Sequence, residues 1–227
     1  MDIGKFPRPL LERLLARNAI KDPRVILGPK VGEDAAVIDM GDRLLVAKSD
    51  PITFATDLIG WYAVQVNAND VACTGGIPKW FLATLLLPEG SSEAEAEKIF
   101  DQVLAACDAL GVSLIGGHSE VTYGISRPII LGSMLGEVER DRLILTGGAQ
   151  EGDSIVVTKG IAIEGTALLA RERSEALRQA GVGADTISRA AQYLTHPGIS
   201  VVQDAQIACA SARVHSLHDP TEGGLIT

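Results

Sequence analysis

The chain has 227 residues, of which 46% are hydrophobic and 22% are charged, a composition typical of a globular protein and not of a disordered one. Its formal net charge is −9 at pH 7 and no basic patch is visible, so nothing in the sequence attracts nucleic acid. The longest apolar run, residues 80–87, is too short to cross a bilayer, and charged residues precede any apolar run at the N-terminus. We therefore expect a cytoplasmic protein without a membrane partner.

Strands and helices alternate in the first two thirds of the chain. The pattern predicts helices at residues 10–19, 57–73 and 92–110, extended chain at 25–38, and strands at 43–48, 80–87, 112–115 and 127–138. Asp57 is expected to cap the second helix, and Ser92 with Glu95 forms a capping box for the third, which Gly111 ends. Because residues 80–87 are apolar throughout, we expect that strand to be buried on both faces. This order indicates an α+β layer with helices on one face of a sheet.

A polar, turn-rich stretch at residues 147–153 divides the chain into predicted domains at 1–148 and 149–227. For the second domain the sequence predicts one strand, at 154–158, and helices at about 164–180, 184–194 and 200–212. A lone strand has no hydrogen-bonding partner within its domain, and the chain stops where another helix should open. We therefore expect a complete N-terminal domain and a truncated C-terminal one.

Four segments place a carboxylate beside small residues. They are GEDAAV at residues 32–37, ANDVA at 68–72, GGHSEVT at 116–122 and HDPTEGG at 218–224, with KSDP at 48–51 between the first two. Carboxylates bind hard cations such as Mg²⁺ through oxygen, and Mg²⁺ bridges phosphates. Glycine allows backbone amides to approach a phosphate closely. Together these segments indicate a site for a nucleotide with its metal.

The order of these motifs resembles the aminoimidazole ribonucleotide (AIR) synthase superfamily, which includes PurM, thiamine-monophosphate kinase, selenophosphate synthetase and HypE. The segments ANDVA and DPTEGG are most similar to HypE and HypE-like AIR synthase-related proteins. The resemblance covers residues from about 25 to the end of the chain. It implies a PurM-like two-domain α+β fold, binding of ATP and Mg²⁺, and a homodimer formed through the N-terminal sheets.

The resemblance also implies the site residues. Those matching the family's metal positions are Glu33, Asp34, Asp50 and Asp70. Those implied in nucleotide binding are Gly32, Lys48, Asn69, Gly116, Gly117, Gly165, Thr166, Asp219, Thr221, Gly223 and Gly224. A single Asp is more often a turn or cap residue, and only the joint order of these residues favours nucleotide and metal binding.

Two positions depart from the family pattern. Glu33 stands where thiamine-phosphate kinases usually carry Asp, and its longer side chain could still reach a metal. His118 follows the paired glycines where relatives carry Asp or Glu; imidazole is a poor Mg²⁺ ligand, so Glu120 is expected to replace it there. We expect His118 and Glu120 to be the catalytic pair, with a satisfied structural histidine as the alternative for His118.

Three functions are compatible with these residues. The first is HypE-like use of ATP to activate a carbonyl or carbamoyl oxygen for hydrogenase maturation, with a maturation protein as partner. The second is a small-molecule kinase similar to thiamine-monophosphate kinase, although KSDP departs from that family's STDT pattern. The third is a non-catalytic nucleotide-binding or dimerisation module. HypE carries its carbamoyl group on a C-terminal Cys, whereas the last cysteine here, Cys209, lies in a predicted helix and is expected to be buried.

Overall fold

A computed structural model describes residues 1, 3–33 and 35–221. Six strands form one sheet: β1 (Val25–Leu27), β2 (Ala36–Asp39), β3 (Leu44–Ile52), β4 (Ile77–Pro88), β5 (Ser113–Thr122) and β6 (Ile129–Val138). Their order across the sheet is β1-β2-β3-β6-β4-β5. Only β4 and β5 pair in parallel, while the other neighbours are antiparallel. The predicted α+β arrangement is therefore confirmed.

Helices cover one face of this sheet and make up much of the rest of the described chain. They are α1 (Arg8–Leu15), α2 (Ile59–Cys73), α3 (Glu93–Leu110), α4 (Ile163–Glu172), α5 (Ser174–Gln179), α6 (Ala184–Gln192) and α7 (Val202–Ser211). Short helical turns lie at Arg140–Arg142, Thr146–Gly148 and Leu194–Gly198. In the described part of the chain, no helix combines the length and the apolar character needed to cross a membrane.

Helix α2 is the centre of the molecule. Fourteen of its fifteen residues are buried, because it packs on β3 and β6 on one side and on α3 and α7 on others. Gly132 and Gly136 of β6 permit this close approach: a Cβ at Gly132 would lie 2.5 Å from Asn67 Nδ2, and one at Gly136 would lie 2.5 Å from Val71 Cγ1. Strand β6 keeps a regular register with β3 through both glycines, whereas its pairing with β4 shifts beside Gly136, between Pro78 and Trp80.

The two long helices differ in how they begin. The predicted cap of α3 is confirmed, since Ser92 Oγ accepts the Glu95 N–H at 3.2 Å and Gly111 ends the helix at φ 64°. The predicted cap of α2 is wrong: Leu58, at φ 55°, precedes the helix and no side chain caps it. Asp57 forms an ion pair with Arg171 of α4 instead, which joins the start of α2 to the second half of the chain.

Strand β4 is buried on one face only, contrary to the sequence expectation. Phe81, Leu85 and Leu87 are buried beneath the helices. Trp80 and Leu82, with the opposite orientation along the strand, are only half-buried. The largely apolar residues 80–87 therefore leave Trp80 and Leu82 incompletely covered by the described residues.

The second half of the chain differs from its prediction at two places. Residues 154–158 are not a strand, since no described strand lies beside them to complete a ladder, and Ile155 and Val156 are 94% and 81% exposed. The single helix predicted at 164–180 is two helices, because Arg173, at φ −127°, leaves the helical conformation between α4 and α5. The hydrophobic core nevertheless runs continuously from the sheet through α2 to Ala167 and Val202. The division at residue 148 stays a prediction.

Candidate nucleotide and metal site

Lys48, Asp50 and Asp70 form a charged cluster between the sheet and α2. Lys48 and Asp50 are two residues apart on β3 and therefore lie on the same face of the sheet. Asp70 lies in the last turns of α2. Lys48 Nζ lies 3.0 Å from Asp70 Oδ2 and 3.2 Å from Asp50 Oδ2. The side chain of Asp70 is 6% exposed and that of Asp50 is 39% exposed. One carboxylate is thus buried and the other reaches solvent.

Burial and neighbouring charges shift the pKa values of Asp70 and Lys48 in this cluster. Burial raises the pKa of Asp70, and the nearby Asp219 raises it further, against the opposing effect of Lys48. Burial alone would lower the pKa of Lys48, but Asp70 and Asp50 outweigh it and raise that pKa. The Lys48 ammonium at 3.0 Å is the cation that faces the buried Asp70 Oδ2. A buried carboxylate with a raised pKa is typical of a binding site.

Asn67 of α2 fixes the strand that carries Asp50. Its Oδ1 accepts the Asp50 backbone N–H at 2.8 Å, and its Nδ2 donates to Ala63 O at 2.8 Å and to Asp50 O at 3.3 Å. Sequence reasoning missed this residue. The available signal was a second Asn within one turn of Asp70 in an otherwise apolar helix, where a buried amide requires partners.

Asn69, predicted to bind nucleotide, is 3% exposed and faces the second half of the chain. Its Nδ2 donates to Ile199 O at 2.9 Å, and its Oδ1 accepts the Val201 N–H at 2.8 Å. Both polar ends of the side chain are therefore engaged by backbone at the start of α7.

The second half of the chain contributes acidic residues to the same region. Asp219 is 6% exposed and accepts a hydrogen bond from Thr221 Oγ1 at 2.5 Å. Glu164 in the first turn of α4 was not anticipated; burial and the proximity of Asp219 raise its pKa to about 7. The hydroxyl of Tyr62 in α2 is buried with no hydrogen-bond partner among the residues that the structure describes. Burial, followed by the charge of Glu164, raises the pKa of that hydroxyl.

The loop at residues 159–162, just before the predicted nucleotide-binding residues Gly165 and Thr166 of α4, has a partly structural role. Gly165 and Thr166 lie in the first turns of α4, and Thr166 N donates to Ala162 O at 2.9 Å. Lys159 of this loop is turned away from solvent: its Nζ lies 3.3 Å from Gly198 O and 3.1 Å from Asp204 Oδ2. Lys159 therefore joins this loop to the segment that precedes α7 by a hydrogen bond.

His118 and Glu120 lie apart from the Lys48 cluster. Across the sheet, Asp50, Gly132, Ala83 and Gly117 share one row, and Pro51, Leu131, Thr84 and His118 share the next. Because side chains alternate between faces, His118 is on the face away from α2. Its Nε2 lies 3.0 Å from Glu120 Oε2, both side chains are well exposed, and this hydrogen bond lowers the pKa of Glu120. The two predicted catalytic residues do contact one another.

Gly116 and Gly117 lie just beyond the strand predicted at 112–115, but in the structure they continue β5. At Gly117 the backbone approaches β4 so closely that a Cβ would lie 1.8 Å from Ala83 O, whereas a Cβ at Gly116 would meet nothing within 4 Å. Gly117 thus has a packing role, because a side chain there would collide with β4.

The first acidic segment is only partly described. Gly32 takes φ 87° in an exposed turn, and Glu33 Oε2 accepts the Thr146 N–H at 3.3 Å. Asp34, Gly223 and Gly224 lie outside the described residues.

Asp50 and Asp70 are the described carboxylates that could hold Mg²⁺. No described group of three or more His, Cys, Asp or Glu is gathered closely enough to hold a metal by protein ligands alone. Mg²⁺, however, is commonly held by one or two carboxylates together with substrate phosphates. Asp50 and Asp70, both within 3.2 Å of one ammonium group, fit that arrangement.

Cys209 differs from its prediction. It is half-buried on α7 and lines a cavity of about 810 Å³, together with Arg142 and His215. Burial raises the pKa of its thiol, so it is a poor nucleophile in the folded chain. Cys73 and Cys107 are buried, as expected.

Comparison with known protein families agrees with this arrangement. The N-terminal domain of AIR synthase related proteins matches residues 32–138, and the C-terminal domain matches residues 150–227. The chain therefore belongs to the AIR synthase-related family, with PurM-like N- and C-terminal domains.

The proteins to which the chain is similar include hydrogenase-related proteins and kinases. A protein of Methanocaldococcus jannaschii named for hydrogenase expression or formation is 28% identical over 98% of this chain and 64% of its own length. Carbamoyl dehydratase HypE of Cupriavidus necator is 28% identical over 86% of this chain and 55% of its own length. The solved structure of AaThiL, the thiamine monophosphate kinase of Aquifex aeolicus, complexed with AMPPCP and TMP, has a TM-score of 0.66 at 22% identity. That match covers 87% of this chain and 60% of AaThiL. The chain thus spans somewhat under two thirds of these proteins.

Proposed function

We propose that this chain binds ATP with Mg²⁺ and uses it to activate an oxygen of a carbonyl or carbamoyl group, in the manner of carbamoyl dehydratase HypE. The observation that carries the proposal is the convergence of Asp50, Asp70 and Lys48 at one point. The buried Asp219 is near enough for its charge to raise the pKa of Asp70. In this assignment Asp50 and Asp70 hold Mg²⁺, and Lys48 neutralises phosphate charge. Bound Mg²⁺ supplies charge neutralisation for the phosphates and orients them.

The kinship with hydrogenase-related proteins supports the HypE-like direction. Two relatives named for hydrogenase formation or carbamoyl dehydration cover 98% and 86% of this chain. On this proposal a hydrogenase maturation protein is the macromolecular partner, and the cytoplasm is the site of action.

A small-molecule kinase is the second candidate, because the fold is shared with AaThiL. The two candidates differ in the group that accepts the phosphoryl group of ATP. In the kinase it is a phosphate ester such as thiamine monophosphate, and in the dehydratase it is a carbamoyl oxygen. A non-catalytic module is the third, and it requires binding without turnover.

The test is phosphate and ADP release from ATP with Mg²⁺, measured without acceptor, with a carbamoylated peptide thiol, and with thiamine monophosphate. The proposal predicts that the carbamoylated thiol stimulates phosphate release and loses one water, which mass spectrometry detects. Formation of thiamine diphosphate would select the kinase, and calorimetric ATP binding without turnover would select the module. Absence of ATP binding would overturn all three.

A further inference from the structure

Asn69 joins the two halves of the chain at a point where both are buried. Its amide donates to Ile199 O and accepts from Val201 N, at 2.9 and 2.8 Å. A planar amide that satisfies a carbonyl and an N–H two residues apart fixes both the position and the rotation of the segment it binds. The segment bound here begins α7, and Val201, the residue before the helix, has no side-chain cap of its own.

The same segment is held from its other side. Lys159 Nζ contacts Ser200 O and lies 3.3 Å from Gly198 O and 3.1 Å from Asp204 Oδ2 in the first turn of α7. Residues 198–201 are thus bound on one side by Lys159, in the loop before α4, and on the other side by Asn69 of α2. Asn69 is the member of this arrangement that belongs to the first half of the chain.

Neighbouring residues of α2 connect this docking point to the candidate site. Asn67, two residues earlier, binds the backbone of Asp50, whereas Asp70, the next residue, is paired with Lys48. The charge of Asp219 from the second half also acts on Asp70. One turn of α2 therefore binds strand β3 through Asn67 and the segment before α7 through Asn69.

We propose that Asn69 is a positioning residue that docks α7 and the second half of the chain on α2, so that Asp219 faces Asp70. Asn69 does not contact the nucleotide in this arrangement, since both of its polar atoms are occupied by backbone groups. The consequence for nucleotide binding rests on the proposed function, while the docking role does not.

The docking role is tested by amide hydrogen exchange of the nucleotide-free protein. Asn69→Ala should accelerate exchange at Val201 and through the first turn of α7 by about tenfold or more, a loss of about 1.4 kcal/mol of local stability. Amides in β3 and β6 should keep their protection. The matched control is Asn67→Ala, which should accelerate exchange at Asp50 and leave Val201 unchanged. Unchanged protection of Val201 in the Asn69 variant would overturn the docking role.

A second variant covers the case in which the alanine variant does not fold. Asn69→Asp has the same shape and keeps an oxygen toward Val201, but it loses the donor to Ile199 O and sets an oxygen against that carbonyl. It should also accelerate exchange at the start of α7, and full wild-type protection there would contradict the proposal.

The consequence for the site is tested by a double-mutant cycle on ATP–Mg²⁺ affinity, measured by calorimetry. Asn69→Ala should weaken binding by about tenfold in the wild-type background and by less than about twofold when Asp219→Asn is already present, because both changes remove the same contribution. Additive losses would show that Asn69 acts independently of Asp219, which would overturn the positioning role. If the wild-type chain binds no ATP, the proposed function fails, while the exchange experiment still decides the docking role.

Discussion

Asn67 Oδ1 accepts the backbone N–H of Asp50 across 2.8 Å, which ties helix α2 to strand β3 at one of the two carboxylates of the candidate metal site. The same helix carries Asp70, the other carboxylate. The separation of the two acidic groups is therefore set by a hydrogen bond between elements and not by a loop, and such a site is held rigidly before any ligand arrives.

The first prediction concerns these carboxylates. Asp50→Asn and Asp70→Asn each remove a charged oxygen and keep the side-chain shape. We expect each change to weaken ATP–Mg²⁺ binding by about tenfold or more, equivalent to about 1.4 kcal/mol, as measured by calorimetry. The control is Asp108→Asn, an exposed carboxylate on α3, which should leave the affinity unchanged. Equal affinities for all three variants would show that Asp50 and Asp70 are structural residues.

The second prediction separates the two glycines of β5. Gly117→Ala should lower the free energy of unfolding by more than about 2 kcal/mol, because the new Cβ would collide with Ala83 O and force β4 and β5 apart. Gly116→Ala, with a similar positive φ and open space around its Cβ, should cost only its backbone strain. Urea unfolding of both variants measures the difference. A larger loss for Gly116 than for Gly117 would contradict the close approach of the strands.

The third prediction concerns assembly. On the face of the sheet away from α2, Trp80 and Leu82 of β4 are only half-buried by the described residues, and Leu131, on the central strand β6, is 37% exposed. We expect this face to pair with a second copy, so that sedimentation equilibrium at micromolar concentration gives twice the 23.9 kDa chain mass. Leu131→Glu should produce a monomer. Ile207→Glu, at a 56% exposed position on α7, is the control and should stay dimeric. A monomeric wild-type protein would reject the interface.

The fourth prediction is a pH dependence at Glu164. Its pKa in the folded chain is about 7, above the ordinary value of 4.5, so between these values the folded state binds more protons than the unfolded chain. Stability therefore falls as the pH rises through this window, and the full penalty is present above about pH 7. Glu164→Gln removes the charge and should be more stable than wild type at pH 8, by on the order of 1 kcal/mol, with no difference near pH 4.

Glu175→Gln is the control for this measurement, since Glu175 is 70% exposed on α5 and its replacement leaves the carboxyl group of Glu164 in place. Chemical unfolding at pH 4, 6 and 8 measures all three proteins. A Glu164→Gln difference that does not change with pH would contradict the burial of this carboxyl group.

Local signals in the sequence predicted much of the first half of the chain. The cap at Ser92 and the stop at Gly111 depend on neighbouring residues alone, and both are confirmed. Asp50 and Asp70 were assigned to one site by their motifs, and the structure brings both of them to Lys48.

What the sequence did not predict depends on contacts between distant segments. The partners of Asn67 and Asn69 are backbone groups of β3 and of the segment before α7, and no local pattern reveals them. His118 was expected at the nucleotide site, but it lies on the face of the sheet away from α2. That position follows from the pairing register between strands, which the local sequence does not reveal. The apolar run at 154–158 has the composition of a strand, yet composition supplies no neighbour to pair with.

The exposed run from Ile155 to Val157 also affects how the purified chain can be handled. Three consecutive β-branched side chains are 94%, 81% and 50% exposed, and their residues belong to none of the described strands. Such a segment is a template for strand-to-strand aggregation between molecules. Solubility of this polypeptide will therefore depend on concentration through residues remote from the nucleotide site, and a lysine at Val156 is the smallest change that would blunt that edge.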